Sequence, residues 1–120
     1  MNLVVVIYDR LRILCFRNDN IILMKDSQLD FLTQLEAIID DRLKENSENS
    51  YTATLAKKGY DKVLQKVGEE AIEYLIDAKN RDTERMIYES ADFIFHLLIS
   101  LRMNGLSIVD TVLELEKRHK

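Results

Sequence analysis

Two pairs of acidic residues, placed symmetrically about one turn signal, constrain how this chain folds more than any other feature. Glu70 and Glu73 are three residues apart in a segment with helical apolar spacing, and Glu89 and Asp92 repeat that spacing. Residues three apart lie on one face of a helix. Between the pairs, residues 80–83 (Asn-Arg-Asp-Thr) are the nearest turn signal. The pattern predicts an antiparallel helical hairpin that reverses at this turn.

Hairpin geometry places the four acids at matching heights. Glu73 and Glu89 each lie eight residues from Arg81, and Glu70 and Asp92 each lie eleven residues from it. At a rise of ~1.5 Å per residue, the two pairs are roughly 12 and 16 Å from the turn. Four clustered carboxylates repel one another unless a cation is present. Oxygen ligands suit a hard ion such as Mg²⁺, which shares its shell with phosphates. The sequence therefore predicts a helical Mg²⁺–phosphate site.

The competing interpretation is that these acids form a solvated helix face, as single acidic pairs on amphipathic helices usually do. Residues 89–101, however, are apolar almost all round, which leaves Glu89 and Asp92 little solvent-facing surface. Spacing alone leaves both interpretations open.

The absence of proline and the presence of only three glycines favour long helices joined by short turns. We predict an all-α, four-helix-bundle-like fold with helices over about 28–45, 53–79, 83–103 and 108–119. Ser27-x-x-Asp30 and Ser107-x-x-Asp110 resemble capping boxes, and Ser50 or Thr52 can cap the second helix. Because the third helix is apolar all round, we expect a homodimer to cover it.

Composition excludes several functional classes. A net charge of −4 argues against a nucleic-acid-binding protein. The single cysteine, Cys15, cannot form an intrachain disulfide, which fits a reducing compartment, and we interpret it as a small core residue. The apolar run 3–7 is far shorter than the ~20 residues of a membrane span and lacks the flanks of a signal peptide. We therefore expect a cytoplasmic protein that contacts no membrane.

The acidic pattern Glu69-Glu70-x-x-Glu73 followed by Glu89-x-x-Asp92 resembles the signature of the all-α nucleoside-triphosphate pyrophosphohydrolases, the MazG-type superfamily. Further motifs resemble the branch that acts on phosphoribosyl-ATP. They are Ser50-Tyr51-Thr52, Gly59, Lys66-Val67-Gly68, Ala78-Lys79-Asn80, His96-Leu97-Leu98 and Arg118-His119. The resemblance covers roughly residues 28–120.

This resemblance implies Mg²⁺-dependent hydrolysis of phosphoribosyl-ATP to phosphoribosyl-AMP and pyrophosphate, the second step of histidine synthesis. Mg²⁺ would be held by Glu70, Glu73, Glu89 and Asp92. Glu69, Glu70 and Lys66 would act in catalysis. Glu69 would orient the attacking water or support the metal ligands without contacting the ion, and Lys66 would stabilise phosphate charge. The substrate would be bound by Ser50, Tyr51, Thr52, Lys62, Lys66 and Arg118. His96 is interpreted as a hydrogen-bonded interface residue rather than a metal ligand.

The resemblance does not extend to the N-terminal region. Residues 3–8, 11–17 and 21–24 are rich in β-branched and apolar residues, and Asn18-Asp19-Asn20 is a turn signal. We predict a β-like extension over 1–26, with two or three short strands, followed by the helical domain over 27–120. Such an arm is consistent with the remnant of a fusion or with an upstream start site.

Two alternative functions remain. The chain could be a house-cleaning pyrophosphatase for a non-canonical nucleoside triphosphate, against which the Ser50-Tyr51-Thr52 segment and Arg118-His119 argue. It could also be a non-catalytic helical dimerisation module, which should not bind Mg²⁺.

Overall fold

The computed structural model describes residues 4–7, 12–17, 20–45 and 48–119, with side chains from residue 28 onward. The chain divides into two compact units, Met1–Leu35 and Glu36–Lys120. The domain boundary that the sequence suggests, between residues 26 and 27, stays a prediction.

The first unit contains a three-stranded antiparallel sheet in the order β1-β2-β3. Its strands are β1 (Val4–Ile7), β2 (Arg12–Arg17) and β3 (Asn20–Lys25). Val5 faces Cys15 across the first pair, and Cys15 faces Ile22 across the second. Asn18 and Asp19 of the predicted turn lie outside the described residues, as does the side chain of Cys15, so its assignment to a core stays a prediction.

The remainder of the described chain is helical, as predicted. The helices are α1 (Asp26–Leu29), α2 (Phe31–Lys44), α3 (Tyr51–Lys57), α4 (Tyr60–Lys79), α5 (Thr83–Met103) and α6 (Ile108–Arg118).

Two of the predicted helices are interrupted. The predicted helix 53–79 is wrong as a single element: α3 ends at Lys57 and α4 begins at Tyr60. Gly59 between them has φ of 102°, a conformation that side-chain-bearing residues rarely adopt. The predicted helix 28–45 is likewise divided at Asp30, whose carbonyl accepts hydrogen bonds from the backbone N–H groups of Thr33 and Gln34.

The caps at three helix starts follow from side-chain chemistry. The Ser50 hydroxyl accepts from the backbone N–H of Ala53, and the Asp82 carboxylate accepts from that of Arg85. Ser107 and Asp110 form the complete capping box that their spacing predicts. These contacts satisfy N–H groups that the first turn of a helix leaves without intrahelical partners.

Helices α4 and α5 form the predicted antiparallel hairpin. The chain reverses at Arg81, which has φ of 56°, and the Asp82 N–H donates to the Asp77 carbonyl at 3.1 Å. Fully buried apolar side chains, including Val63 of α4 and Leu98 of α5, lie in the core of the second unit. The hairpin is therefore a rigid support for the acidic residues that it carries.

Two acidic side chains of α2 contact the end of α5 and the start of α6. Arg102 donates two hydrogen bonds to the Asp40 carboxylate, from Nε to Oδ1 at 2.8 Å and from Nη2 to Oδ2 at 2.7 Å. Glu36 accepts from the backbone N–H of Ile108 at 2.6 Å and from the Ser107 hydroxyl at 2.9 Å. The Glu36 carboxylate thereby lies at the positive end of the α6 dipole, where a negative charge is favourable.

Within the described ranges, no single helix is long and apolar enough to cross a membrane. Helices α5 and α6 have sufficient length and apolar composition only when taken together, and they are bent by 102° relative to each other.

Candidate active site

Three carboxylates meet between α4 and α5. Glu70 and Glu73 lie one turn apart on α4, and Glu89 approaches them from α5. One oxygen of each lies within 4.8 Å of the others. The Glu70 and Glu89 side chains are buried, with 6% and 2% of their surface exposed, whereas Glu73 is exposed. The cluster is thus a half-open pocket of negative charge at one helix–helix contact.

The chemistry of this cluster fits a hard metal ion. Among the side chains that the structure describes, the Oε2 atoms of Glu70 and Glu89 are buried without a hydrogen-bond partner. A buried carboxylate oxygen without a partner is energetically costly, and a bound cation would offset that cost. The ligand atoms that these three carboxylates offer are all oxygens, which Mg²⁺, Ca²⁺ and Mn²⁺ prefer. These three residues can therefore hold a metal ion.

The electrostatics of Glu89 agree with this assignment. Burial raises the pKa of Glu89, the neighbouring Glu73 carboxylate raises it further, and the Arg85 guanidinium opposes them. Burial and like charge both disfavour the anionic form of a carboxyl group. A bound cation would favour the anionic form of Glu89.

Asp92, the fourth predicted ligand, lies outside the set of three. Matching height along the hairpin does not by itself bring oxygens together, because direction around the helix and side-chain length also matter. Aspartate is one methylene shorter than glutamate. The Asp92 carboxylate is half-buried and close enough to Tyr51 to contribute to raising the pKa of its hydroxyl. Its assignment as a metal ligand stays a prediction.

Lys66 carries a positive charge beside the cluster. Its Nζ atom lies 3.2 Å from Glu69 Oε2 and 3.3 Å from Glu70 Oε1. A hydrogen bond with Glu69, together with Glu70, raises the pKa of Lys66 against the effect of burial. Lys66 therefore stays an ammonium ion next to the buried Glu70 carboxylate, which is the pairing that the i,i+4 spacing predicts.

Glu69 contacts Gln65 as well as Lys66. Its Oε1 accepts a hydrogen bond from Gln65 Nε2 at 2.7 Å, and Gln65 Oε1 accepts from Lys62 Nζ at 3.1 Å. The hydrogen bond from Gln65, followed by that from Lys66, lowers the pKa of Glu69. The predicted catalytic Lys66 and Glu69 and the predicted substrate ligand Lys62 thus form one hydrogen-bonded row along α4.

Tyr51 is linked to the centre of α5 through His96. The Tyr51 hydroxyl lies 2.9 Å from His96 Nε2, and His96 Nδ1 lies 2.7 Å from the Asp92 carbonyl oxygen. Because a carbonyl only accepts, Nδ1 carries a proton. His96 is therefore hydrogen-bonded, as predicted, but its partners are in its own chain. The neighbouring Ser50 and Thr52 are buried.

The predicted substrate ligand Arg118 lies on α6. Its Nε atom donates to Glu114 Oε1 at 2.8 Å, and both side chains are exposed. This contact matches a solvated i,i+4 pair. Its role in substrate binding stays a prediction.

Sequence reasoning missed two residues that contact the acids. Arg85 donates from Nη2 to Oε1 of Glu89, and Gln65 donates to Glu69. Each lies four residues before its partner, so the i,i+4 rule was the available signal.

Comparison with known proteins identifies the family of the chain. The family model "Phosphoribosyl-ATP pyrophosphohydrolase" matches residues 32–119. The chain is 47% identical over 91 residues to the phosphoribosyl-ATP pyrophosphatase of Metallosphaera sedula, covering 76% of this chain and 98% of that protein. Two further relatives are the histidine biosynthesis bifunctional proteins HisIE of Bacteroides thetaiotaomicron and Bacillus subtilis. They are 46% and 41% identical over 74% and 88% of this chain.

The chain spans only 44% and 50% of the length of these two bifunctional relatives. The matched residues include the helical hairpin and all of its carboxylates. The chain therefore belongs to the phosphoribosyl-ATP pyrophosphohydrolase family.

Proposed function

We propose that this chain hydrolyses phosphoribosyl-ATP to phosphoribosyl-AMP and pyrophosphate, the second step of histidine biosynthesis. The observation that carries the proposal is the cluster of Glu70, Glu73 and Glu89 beside the Lys66 ammonium group. Carboxylates that bind a divalent cation, next to a lysine, suit a substrate with several phosphate charges. Family membership and the activity for which the Metallosphaera relative is named support the choice of substrate.

We infer that the metal is Mg²⁺, held by Glu70, Glu73 and Glu89, with Asp92 as a fourth ligand. When bound, Mg²⁺ would neutralise triphosphate charge and polarise the phosphoryl oxygens. The carboxylates fix the position of the triphosphate relative to α4 and α5. The two buried Oε2 atoms of Glu70 and Glu89 support this inference.

Lys66 and Glu69 have separate roles in the proposal. Lys66 stabilises negative charge on the bridging or leaving phosphate oxygens, since an ammonium group held in place loses little on reorganisation. Glu69 has a lowered pKa and is therefore a weak base. We infer that it positions the Lys66 ammonium group and orients the attacking water by accepting a hydrogen bond from it.

The remaining predicted substrate ligands are Ser50, Tyr51, Thr52, Lys62 and Arg118. Tyr51 is exposed at its ring yet anchored at its hydroxyl by His96. Proximity of Tyr51 to Lys66, Glu70 and Asp92, whose charges all influence its pKa, supports a location at the edge of the substrate site. The N-cap contact of Ser50 uses the hydroxyl oxygen as an acceptor and does not use the hydroxyl proton.

We further infer a homodimer. An apolar groove of about 600 Å³ runs along α4 and α5, lined by residues including Leu75, Met86, Ile87 and Phe93. Ile87 is 70% exposed, and Leu75 is exposed as well. Large contiguous apolar patches on small proteins usually mark interfaces. A second copy of the chain is the simplest partner. A cytoplasmic location stays an expectation.

The test is pyrophosphate release from phosphoribosyl-ATP with Mg²⁺ and with excess chelator. We expect release that depends on Mg²⁺ and yields phosphoribosyl-AMP. A panel of non-canonical nucleoside triphosphates, measured in parallel, separates this enzyme from a house-cleaning pyrophosphatase. Absence of hydrolysis on every substrate, together with absence of Mg²⁺ binding, would favour a non-catalytic dimerisation module instead.

A further inference from the structure

Arg85 occupies the edge of the carboxylate cluster without being part of any recognised motif. Its Nη2 atom donates to Oε1 of the buried Glu89, one turn further along α5. Its Nε atom lies 3.6 Å from Asp77 Oδ2 on α4. The guanidinium carbon lies 5.0 Å from the centre of the Tyr88 ring. One side chain thus bridges the two helices through a carboxylate of the cluster.

The burial of the two partners differs sharply. Glu89 is 2% exposed, whereas the Arg85 side chain is 52% exposed. A buried carboxylate needs a positive partner, because an unpaired buried charge is strongly unfavourable. An arginine that is half in solvent can leave with little desolvation penalty. Glu89 therefore strongly requires a nearby positive charge. Arg85, by contrast, is held only weakly in its position.

Arg85 also has a second place to bind. Asp77 and the face of Tyr88 both attract a guanidinium group, and neither belongs to the carboxylate cluster. If Arg85 releases Glu89, it can keep these two contacts. In the structure Arg85 contacts Asp77, Tyr88 and Glu89 at the same time, so two of its three contacts do not depend on Glu89.

A divalent cation and a guanidinium group on the same carboxylate repel each other. Glu89 Oε1 is engaged by Arg85, while Oε2 has no partner among the described residues. Two positive charges within a few ångströms of each other, at a partly buried site, interact unfavourably by more than thermal energy. Binding of one is thus linked to release of the other.

We propose that Arg85 is the internal counter-cation of the carboxylate cluster, that it competes with the divalent metal for Glu89, and that it thereby sets the metal affinity of the enzyme. This inference rests on the proposed metal site. Asp77 and Tyr88 receive the guanidinium group when the metal is bound. Arg85 is a positioning residue in this scheme and contacts neither substrate nor metal.

The experiment is titration of the full-length, metal-free protein with Mg²⁺ or Mn²⁺ by calorimetry, for Arg85→Gln, Asp77→Asn and Lys79→Gln. Arg85→Gln should bind the metal about tenfold more tightly, since the competing charge is removed. Asp77→Asn should bind it several-fold more weakly, because Arg85 loses its alternative partner. Lys79→Gln removes an exposed charge from the same hairpin and should match the parent.

Thermal unfolding supplies a second readout. Without metal, Arg85→Gln should melt at a lower temperature than the parent, since Glu89 loses its partner, and saturating Mn²⁺ should narrow that difference. Unchanged or weaker metal binding by Arg85→Gln would overturn the proposal. Tighter metal binding by Asp77→Asn would also overturn it, and this variant tests the proposal even if Arg85→Gln fails to fold. If the parent itself binds no divalent ion, the proposed metal site fails, and the role of Arg85 fails with it.

Discussion

Lys66 and Glu70 form an ion pair one turn apart on α4, with 3.3 Å between Nζ and Oε1. The same ammonium group contacts Glu69, so it lies between a buried carboxylate and an exposed one. This arrangement fixes a positive charge at the border of the carboxylate cluster. It makes Lys66 the cation of α4 most closely tied to the proposed chemistry.

Replacing Lys66 with methionine should lower kcat for pyrophosphate release by about 100-fold, the loss that follows removal of one group stabilising transition-state charge. The methionine retains most of the aliphatic length, so helical content should remain. Lys57→Met on the neighbouring helix α3 is the control and should keep full activity. Parental kcat in Lys66→Met, measured at saturating Mg²⁺, would remove Lys66 from the catalytic assignment.

Neutralising the carboxylates tests the metal site directly. Glu70→Gln and Asp92→Asn should each nearly abolish turnover while circular dichroism shows intact helices. Without metal, Glu70→Gln should unfold at the same or a higher temperature than the parent, because one repelling charge is gone. Near-parental turnover in both variants would contradict the site. A different outcome is that Glu70→Gln loses turnover, whereas Asp92→Asn keeps normal metal binding and normal turnover. That outcome would restrict the ligand set to the three clustered glutamates.

Placing a charge in the apolar groove tests the dimer. Ile87→Asp should shift the mass measured by light scattering from dimer to monomer, since burying an unpaired carboxylate in an interface is strongly unfavourable. Leu113→Asp, on the exposed face of α6, is the matched control and should leave the mass unchanged. A parent protein that stays monomeric at high concentration would contradict the proposed assembly.

The ion pair of Asp40 with Arg102 predicts a pH-dependent stability. The hydrogen bond from Arg102 lowers the pKa of Asp40 from its ordinary value of 3.8. The pair therefore stabilises the folded state at pH values above the ordinary pKa of aspartate. This stabilisation is lost as the pH falls through the lowered pKa of Asp40.

Asp40→Asn should accordingly lower the free energy of unfolding by about 1 kcal/mol at pH 7. The difference from the parent should shrink as the pH falls through the lowered pKa of Asp40, because the parent carboxylate then becomes protonated as well. Denaturant unfolding at a series of pH values measures both effects. The adjacent, exposed Asp41→Asn is the control, and an equal loss of stability in it would show that Asp40 has no special role.

Deletion of residues 1–26 tests the predicted domain boundary. If the helical domain alone carries the site, the truncated protein should retain Mg²⁺ binding and pyrophosphate release within about twofold, the scatter expected of changes remote from a site. A truncated protein that folds and dimerises but does not hydrolyse phosphoribosyl-ATP would show that the N-terminal residues act in catalysis.

The sequence by itself determined the helical hairpin and most of its site. Glu70, Glu73 and Glu89 are placed by spacing about Arg81, and helical rise converts that spacing into height without further information. The bounds of α5 and the capping box of Ser107 and Asp110 follow equally from local chemistry, since a cap involves residues that are close in sequence.

Tertiary structure decided which side chains from distant parts of the chain contact each other. It joined Tyr51 to His96 across 45 residues and brought Asp77 of α4 to Arg85 of α5. It also bent the chain at Gly59, where a sequence without proline suggested one continuous helix. These relationships depend on which distant parts of the chain pack against each other, and no local sequence period displays that packing.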